Sequence, residues 1–477
     1  MSVKAVVVGS GLGGLECASL LAREGVEVTV LEQQHAIGGC LQRFERHGSS
    51  FDTGMHYVGG LDEGEHLWRA FDRLGLLDLP WKTMDRDGFE RIVTPDGEYV
   101  LPMGHQPFAR RLKEYFPQRA SQIETYVTML KEAGDTIGDS AGPRDKWLCL
   151  PAYDTLRDMF RHQQLLQAVS ATAAKMDLDA ARMPLYTFLQ INDSYLRGAY
   201  RLDGGGDSIT RRLKADIENA GGIIQTGTRV CRLMTEGDRV TKIIATRHDN
   251  SELQIEKTDW VIADIDPAQI MDMVKGAKLR QIYQRRLQQL PATCGMFTAN
   301  LKVREDKIPY RNHNIHIINS PDVWHCHNTR LENVMVHFGN GGHIDLLSPM
   351  DWNVVELWAK DHNAAAYRQM KQRWLDDAIS VAEKAIPSLR DNILESYTST
   401  PLTYYRYNAT PYGAAFGRGR DWRRGINSVV STRTPVSNLL LTGQNLMLHG
   451  VLGVTMTAFD TINHILGANA INLKPQR

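Results

Sequence analysis

Three separated stretches of the chain share one pattern: a short apolar run, a glycine turn, and a segment with apolar residues at helical spacing. The first begins at residues 3–8 (Val-Lys-Ala-Val-Val-Val), apolar and β-branched like a strand buried on both faces of a parallel sheet. Gly9-Ser10-Gly11-Leu12-Gly13-Gly14 follows, and residues 15–23 then place Leu15, Ala18, Leu21 and Ala22 on one helical face. Gly25 ends that helix, and residues 26–31 form a second strand closed by Glu32. The second stretch starts at Gly204-Gly205-Gly206. A helix over 208–219 follows, with Ile209, Leu213 and Ile217 in phase and Gly221-Gly222 as its stop. Strands over 222–226, 229–235 and 239–246 come next, the last two joined by a Glu236-Gly237-Asp238 turn, and a further apolar strand covers 260–264. The third stretch is the strand Leu439-Leu440-Leu441-Thr442, then Gly443-Gln444-Asn445, then Gly450-Val451-Leu452-Gly453-Val454 opening a helix that runs to residue 466.

The segments between them read differently. Residues 67–81 cluster Trp68, Phe71, Leu74, Leu76, Leu77, Leu79 and Trp81, either as a core helix with its exit or as an apolar lip that dips into a bilayer. Residues 154–175 read as one helix. Residues 176–199 carry Met183, Tyr186, Phe188, Leu189, Ile191, Tyr195 and Leu196, fit for a core or a tunnel wall. A long helical region with Trp352, Trp358 and Trp374 is expected over 351–386. Arg418, Arg420, Arg423 and Arg424 read as a solvated basic loop, or as a contact for membrane phosphate or a redox partner.

Composition narrows the classes. At 477 residues the chain exceeds one compact core, so two or three domains are expected. With 42% hydrophobic and 23% charged residues, it is ordinary globular material, not a disordered, collagen-like or coiled-coil chain. Lys plus Arg equals Asp plus Glu at 55 each, which gives no general attraction to nucleic acid. The six cysteines, Cys17, Cys40, Cys149, Cys231, Cys294 and Cys326, form no Cys-x-x-Cys pair. They read as free thiols in a reducing, cytoplasmic compartment, and no metal site is expected. No uninterrupted apolar run reaches the ~18 residues of a membrane span.

Each residue of the amino-terminal turn has a physical reason. Gly9 allows the tight turn, Gly11 lets backbone approach a pyrophosphate, and Gly14 lets helix and strand pack closely. The helix amino terminus favours the anion. Glu32, 18 residues past Gly14, can accept the adenosine ribose hydroxyls and would repel a 2′-phosphate. The order strand, turn, helix, strand, acid therefore predicts dinucleotide binding. Gly38-Gly39-Cys40 and Gly48-Ser49-Ser50-Phe51-Asp52-Thr53-Gly54-Met55-His56 then replace the helix–strand unit expected of an NAD dehydrogenase, as if the chain ran along a longer cofactor.

That arrangement resembles the flavoproteins with a glycine pair after the ribose acid, amine oxidases and carotenoid desaturases among them. The resemblance is most specific to the phytoene desaturase-related flavoproteins, on the branch of the carotenoid isomerases and retinol saturases. It is carried by residues 51–60 (Phe-Asp-Thr-Gly-Met-His-Tyr-Val-Gly-Gly), Phe116-Pro117 with Ile123-Glu124, Gly204-Gly205, Thr400-Pro401-Leu402-Thr403 with Tyr412-Gly413, and the 443–454 segment. It implies FAD and a long, apolar conjugated lipid whose double bonds are removed, added or isomerised. It implies an α/β fold: a discontinuous Rossmann-like FAD-binding domain (1–75, 200–270 and 425–477) with an inserted α+β substrate domain (76–199 and 271–424). By the same resemblance Gly38, Gly39 and Gly54 follow the cofactor, the Val230 backbone pairs with adenine, and Gln444, Asn445, Gly453 and Val454 lie at the flavin. Cys40 stands where relatives often carry Arg, so the pyrophosphate's charge contact falls to another residue, with Arg43 as candidate. Gln444 and Asn445 stand where many relatives carry an acid.

A flavin carries the hydride, so the protein must supply a dry slot and a proton. The proton candidates are His56, first because it lies in the 51–60 motif, then Tyr57, Tyr405, Tyr404 and Tyr407; a hydrogen-bonded structural role is the alternative for His56. Saturation, desaturation and isomerisation stay open, as does the electron partner. An amine oxidase-like flavoenzyme and a non-catalytic prenyl carrier of the GDP-dissociation-inhibitor type are the competing classes. Peripheral membrane contact is an option.

Overall fold

The computed structural model describes residues 2–46, 48–137, 142–325, 329–361 and 363–467. Cys326 and the last ten positions assigned to the nucleotide domain, 468–477, lie outside the described residues.

The Lys4–Val8 strand alternates its side chains between two cores. Ala5 and Val7 join Leu15, Leu21, Leu213, Ile217, Ala458 and Ile462 on one face, whereas Val6 and Val8 join Leu31, Val230, Ile243 and Leu441 on the other. A strand covered on both faces reads as continuously apolar, and it is the centre of a parallel five-stranded sheet. The order is Leu439–Leu441, Trp260–Ala263, Lys4–Val8, Glu27–Leu31, Ile223–Gln225. The three glycine-bearing stretches thus supply neighbouring strands of one sheet. Helices Leu12–Arg23, Asp207–Asn219 and Gly450–Leu466 cover one face, and a four-stranded sheet from residues 228–275 covers the other. The fold is α/β with a Rossmann-like nucleotide region.

A second, seven-stranded sheet runs Ile393–Ser399, Gly295–Val303, His343–Met350, Asn333–Gly339, Asn314–Ile318, Glu90–Thr94, Gly97–Leu101. Every pairing is antiparallel except the one between Asn314–Ile318 and Glu90–Thr94. Phe297, Leu301, Val336 and Leu346 point to helix Ala365–Ala382, while Met296, Met335 and Leu347 point the opposite way, towards the helices of residues 105–196. Period-two alternation therefore gives this sheet one structural face and one that faces the interior.

Two expected helices are shorter than the pattern suggests. Residues 154–175 are not one helix: Ala152–Phe160 ends at Arg161, with φ 44°, and His162 caps a new helix, Gln163–Ser170, by accepting the Leu165 N–H. In 351–386 only Ala365–Ala382 is α-helical, preceded by two single 3₁₀ turns. The 67–81 cluster packs inward. Leu67, Phe71, Leu74 and Leu76 are fully buried, and Trp81 donates its indole N–H to the Leu76 carbonyl at 2.8 Å. No helix among the described residues is long and apolar enough to cross a membrane.

Candidate active site

One cavity of about 860 Å³ is lined by residues from five separate stretches of the chain, within 8–59, 174–195, 228–273, 296–347 and 404–454. Its lining includes Glu32, Gln33, Gln34 and Thr228–Cys231; Gly9–Gly13, Gly38 and Gly39; and Gly54–Val58, Tyr404, Gln444, Asn445 and 450–454. Met296, Met335, Leu347, Ile191, Tyr195 and Lys175 line it too.

The glycine-lined part is built from bare backbone. Gly9 has φ 96°, and a side chain there would meet the Asp264 carbonyl at 2.7 Å; one at Gly11 would collide with the Asp264 carboxylate. Gly11 is the N-cap of helix Leu12–Arg23 and has no side chain to cap it, so the Leu12 and Gly13 N–H groups stay open to an anion. Gly14 stands one layer behind, where a side chain would strike the Gly9 carbonyl, in keeping with a packing role. Glu32 is buried. Its Oε2 accepts the Ser10 N–H at 2.9 Å and hydroxyl at 2.7 Å, and its Oε1 accepts the Gln34 N–H at 2.7 Å. The acid thus shapes the turn and still faces the cavity.

Asp264 was not a sequence candidate. Its Oδ2 accepts the Gly14 N–H at 3.0 Å, and it stands against Gly11 and Gly443. Burial pushes its carboxyl up to about 7; the Gly14 N–H opposes this and the Glu32 charge adds to it. The available signal was an acid closing a parallel strand next to the glycine turn.

Of the expected site residues, Gly9, Gly11, Glu32, Gly38, Gly39, Gly54, His56, Tyr57, Val230, Gln444, Asn445, Gly453 and Val454 share this cavity. Gly443, at φ 93°, lies behind it against Asp264. Arg43 does not line it. Strand Arg43–Arg46 pairs Arg43 with Asp52, and its guanidinium donates to the Gly204 carbonyl at 2.7 Å and the Ser50 carbonyl at 3.2 Å. Tyr405 is also misplaced as a proton donor: it is 45% exposed, with its ring 5.1 Å from Trp352. Consecutive residues of helix Pro401–Tyr407 point about 100° apart, so Tyr404 takes the inward position and donates its hydroxyl to the Thr53 carbonyl at 3.1 Å. Cys40 lines the cavity beside Asn408, and burial pushes its thiol up to about 11, so it brings no charge.

The basic run is solvated only in its second half: Arg423 is exposed and pairs with Asp421 at 2.7 Å, and Arg424 is half-buried. Arg418 and Arg420 are buried. Arg418 grips Asp266 at 2.6 and 3.0 Å, and Arg420 donates to the Met447 and Leu446 carbonyls at 3.0 and 2.7 Å. Their charge is spent inside the protein.

Sequence reasoning also missed a buried polar network on the cavity wall. Glu90 accepts the Tyr57 hydroxyl at 2.7 Å, the Lys175 ammonium at 2.9 Å and His316 Nε2 at 2.8 Å. Burial pushes the Glu90 carboxyl up, but Lys175 and His316 outweigh this and hold it well below its ordinary value. Burial and then the Glu90 charge push the Tyr57 hydroxyl well up, so it stays protonated. Lys175 also sits 4.2 Å from the centre of the Tyr195 ring. Glu90, Lys175 and His316 come from separate segments with no shared motif.

Residues 7–74 match the NAD(P)-binding Rossmann-like domain family. An all-trans-retinol 13,14-reductase of Danio rerio is 24% identical, over 98% of this chain and 86% of that one. A prolycopene isomerase of Daucus carota is 22% identical (92% and 76%), and a phytoene dehydrogenase of Streptomyces griseus is 29% identical over half of each chain (50% and 50%). The solved structure of a putrescine oxidase shares the fold, with TM-score 0.64, 13% identity and coverage of 98% of this chain and 99% of that one. The chain is thus similar, over nearly its whole length, to the phytoene desaturase-related oxidoreductases, on the branch that holds the retinol reductases and prolycopene isomerase.

Proposed function

We propose that this protein binds FAD along the cavity and acts as an oxidoreductase on carbon–carbon double bonds of a long apolar polyene or isoprenoid lipid. The nucleotide-binding domain would comprise 1–75, 200–270 and 425–477, and the substrate domain 76–199 and 271–424. The observation that carries this reading is the continuity of one cavity that holds both a backbone-only anion cradle and an apolar wall with a buried proton network at Tyr57 and Glu90. The residues present fit the cofactor: glycines where a Cβ would block a pyrophosphate, Glu32 for ribose, Val230 near adenine, and the Gly450–Leu466 helix amino terminus towards the flavin. When bound, the flavin supplies hydride exchange at N5.

The chain's own residues do the rest. Met296, Met335, Leu347 and Ile191 offer a dry, adaptable surface to a polyene. Tyr57 holds a proton at its hydroxyl, and Glu90 orients that hydroxyl. Lys175 and His316 keep Glu90 ionised, so proton loss from Tyr57 is opposed until a substrate carbon takes the proton. His56 shares the cavity, but its Nδ1 has no hydrogen-bond partner, so Tyr57 is the better-connected donor.

The test is anaerobic incubation of oxidised and of chemically reduced protein with carotenoids, retinoids and unsaturated lipids, followed by mass analysis. A gain of two hydrogens, a loss of two, or isomerisation at constant mass would each support the reading and name the reaction. Colourless protein that FAD does not reconstitute, or bleaching by primary amines alone, would overturn it.

A further inference from the structure

His337 and Asp345 are directly opposed residues on adjacent antiparallel strands, Asn333–Gly339 and His343–Met350. They lie two pairs along from Met335 and Leu347, on the same inward sheet face, because side chains two residues apart share a face. His56 reaches the same point from the loop after strand Ser49–Asp52. One ligand atom from each of the three side chains falls within 4.8 Å of the other two. All three side chains are at least nine-tenths buried.

Their hydrogen bonds are left incomplete. The Nδ1 atoms of His56 and of His337 have no hydrogen-bond partner. The His56 Nδ1 is 3.3 Å from Asp345 Oδ2 without the alignment of a hydrogen bond, and the two imidazole rings stand 5.0 Å apart, centre to centre. Asp345 uses its other oxygen, accepting the Asn300 amide at 2.7 Å. Buried polar atoms without partners are costly, and two beside one free carboxylate oxygen call for a shared partner.

We propose that His56, His337 and Asp345 bind one divalent transition-metal ion of the zinc class. Two imidazoles and one carboxylate oxygen are a borderline-soft donor set. They suit Zn²⁺ and its neighbours, whereas Mg²⁺ and Ca²⁺ want mostly oxygen. Donors about 2.1 Å from a tetrahedral ion lie about 3.4 Å apart, so the ion would draw this trio inward by up to about 0.7 Å. Asn300 is placed to orient the carboxylate, as outer partners of metal ligands do. The ion would sit behind the wall that His56 forms, where it would fix that side chain. This site is independent of the FAD and substrate proposal.

The experiment uses the protein as purified, stripped with a chelator and then dialysed separately against Zn²⁺, Mg²⁺ and Ca²⁺. Metal content is read by mass spectrometry, and ligand identity by X-ray absorption at the zinc edge. The expected result is one zinc per chain, no retained magnesium or calcium, and an edge spectrum of two imidazoles plus light-atom oxygen. His337→Ala and Asp345→Ala should each lower zinc affinity at least tenfold; if either fails to fold, the wild-type edge spectrum decides alone. Failure to retain zinc, equal retention by folded variants, or a spectrum with sulfur or without imidazole would overturn the proposal.

Discussion

The Asp264 carboxylate accepts the backbone N–H of Gly14 at 3.0 Å, tying the end of one parallel strand to the first turn of a helix 250 residues earlier in the chain. That contact places an acid directly beneath the anion cradle. Its carboxyl, pushed up to about 7 chiefly by burial, holds a proton more tightly than the unfolded chain does. The apoprotein should therefore lose stability as pH rises from about 4 to about 7 and lose no more above that. Asp264→Asn keeps an oxygen for Gly14 and removes this slope. Urea unfolding at pH 5 and pH 8 should show the variant gaining on wild type at the higher pH, by up to about 3 kcal/mol.

Tyr57→Phe removes the hydroxyl that reaches Glu90 and leaves the ring in place. If Tyr57 delivers the proton, turnover should fall about 10²- to 10⁴-fold while flavin content and substrate affinity stay near wild type. Glu90→Gln should act differently. It leaves Lys175 buried without its counter-charge and should cost about 3–5 kcal/mol of stability as well as activity. Rapid-mixing kinetics and thermal unfolding on the same preparations separate the two effects.

Neighbouring tyrosines on one helix should part company. Tyr404→Phe loses the hydrogen bond to Thr53 inside the cavity and should perturb the flavin spectrum or the rate. Tyr405→Phe, exposed against Trp352, should leave both unchanged. Flavin absorbance and steady-state turnover check this, and an equal effect of both changes would contradict the placement.

Asp266 caps helix Pro267–Met273 by accepting the Ala268 and Gln269 N–H groups, and it also grips Arg418. Asp266→Ala should cost about 3–5 kcal/mol, mostly from leaving Arg418 buried and unpaired. Asp266→Asn should cost less, because its side-chain oxygen still caps the helix. Chemical denaturation of both variants against wild type measures the difference.

His449 is half-buried, its Nε2 2.9 Å from the Lys175 carbonyl, and its removal from water holds its ring down to about 4. A histidine depressed in the folded state contributes stability that is lost as pH falls from about 6.5 through about 4. His449→Gln should flatten that part of the acid limb by up to about 3 kcal/mol, seen as a smaller drop in melting temperature between pH 7 and pH 4.5.

The cofactor-side features were legible because they obey local rules. The glycine turn at 9–14, the strand at 4–8 and the acid at 32 lie in one continuous segment, and each residue answers to its own backbone conformation or to helix termini. The mid-chain and terminal returns repeat the same strand–glycine–helix grammar, so their convergence on one sheet could be expected. Asp264 went unnoticed because its importance comes from the Gly14 N–H, which belongs to another segment. Arg43, Arg418 and Arg420 misled for a related reason. A guanidinium in sequence looks free to reach an anion or solvent, but Asp52, Asp266 and three backbone carbonyls claim these first.

Local chain chemistry was enough to determine the α/β nucleotide region, the three returns to it and most of the cavity's glycines, because backbone freedom and apolar periodicity are written residue by residue. Tertiary structure alone decided that Tyr404 and Tyr407 line the cavity while Tyr405 does not, that Glu90, Lys175, His316 and Tyr57 form one network, and that His56 meets His337 and Asp345. These are contacts between side chains far apart in the chain, each chosen by burial, by the twist of a helix or by strand register, and none of those is set by a residue's neighbours in sequence.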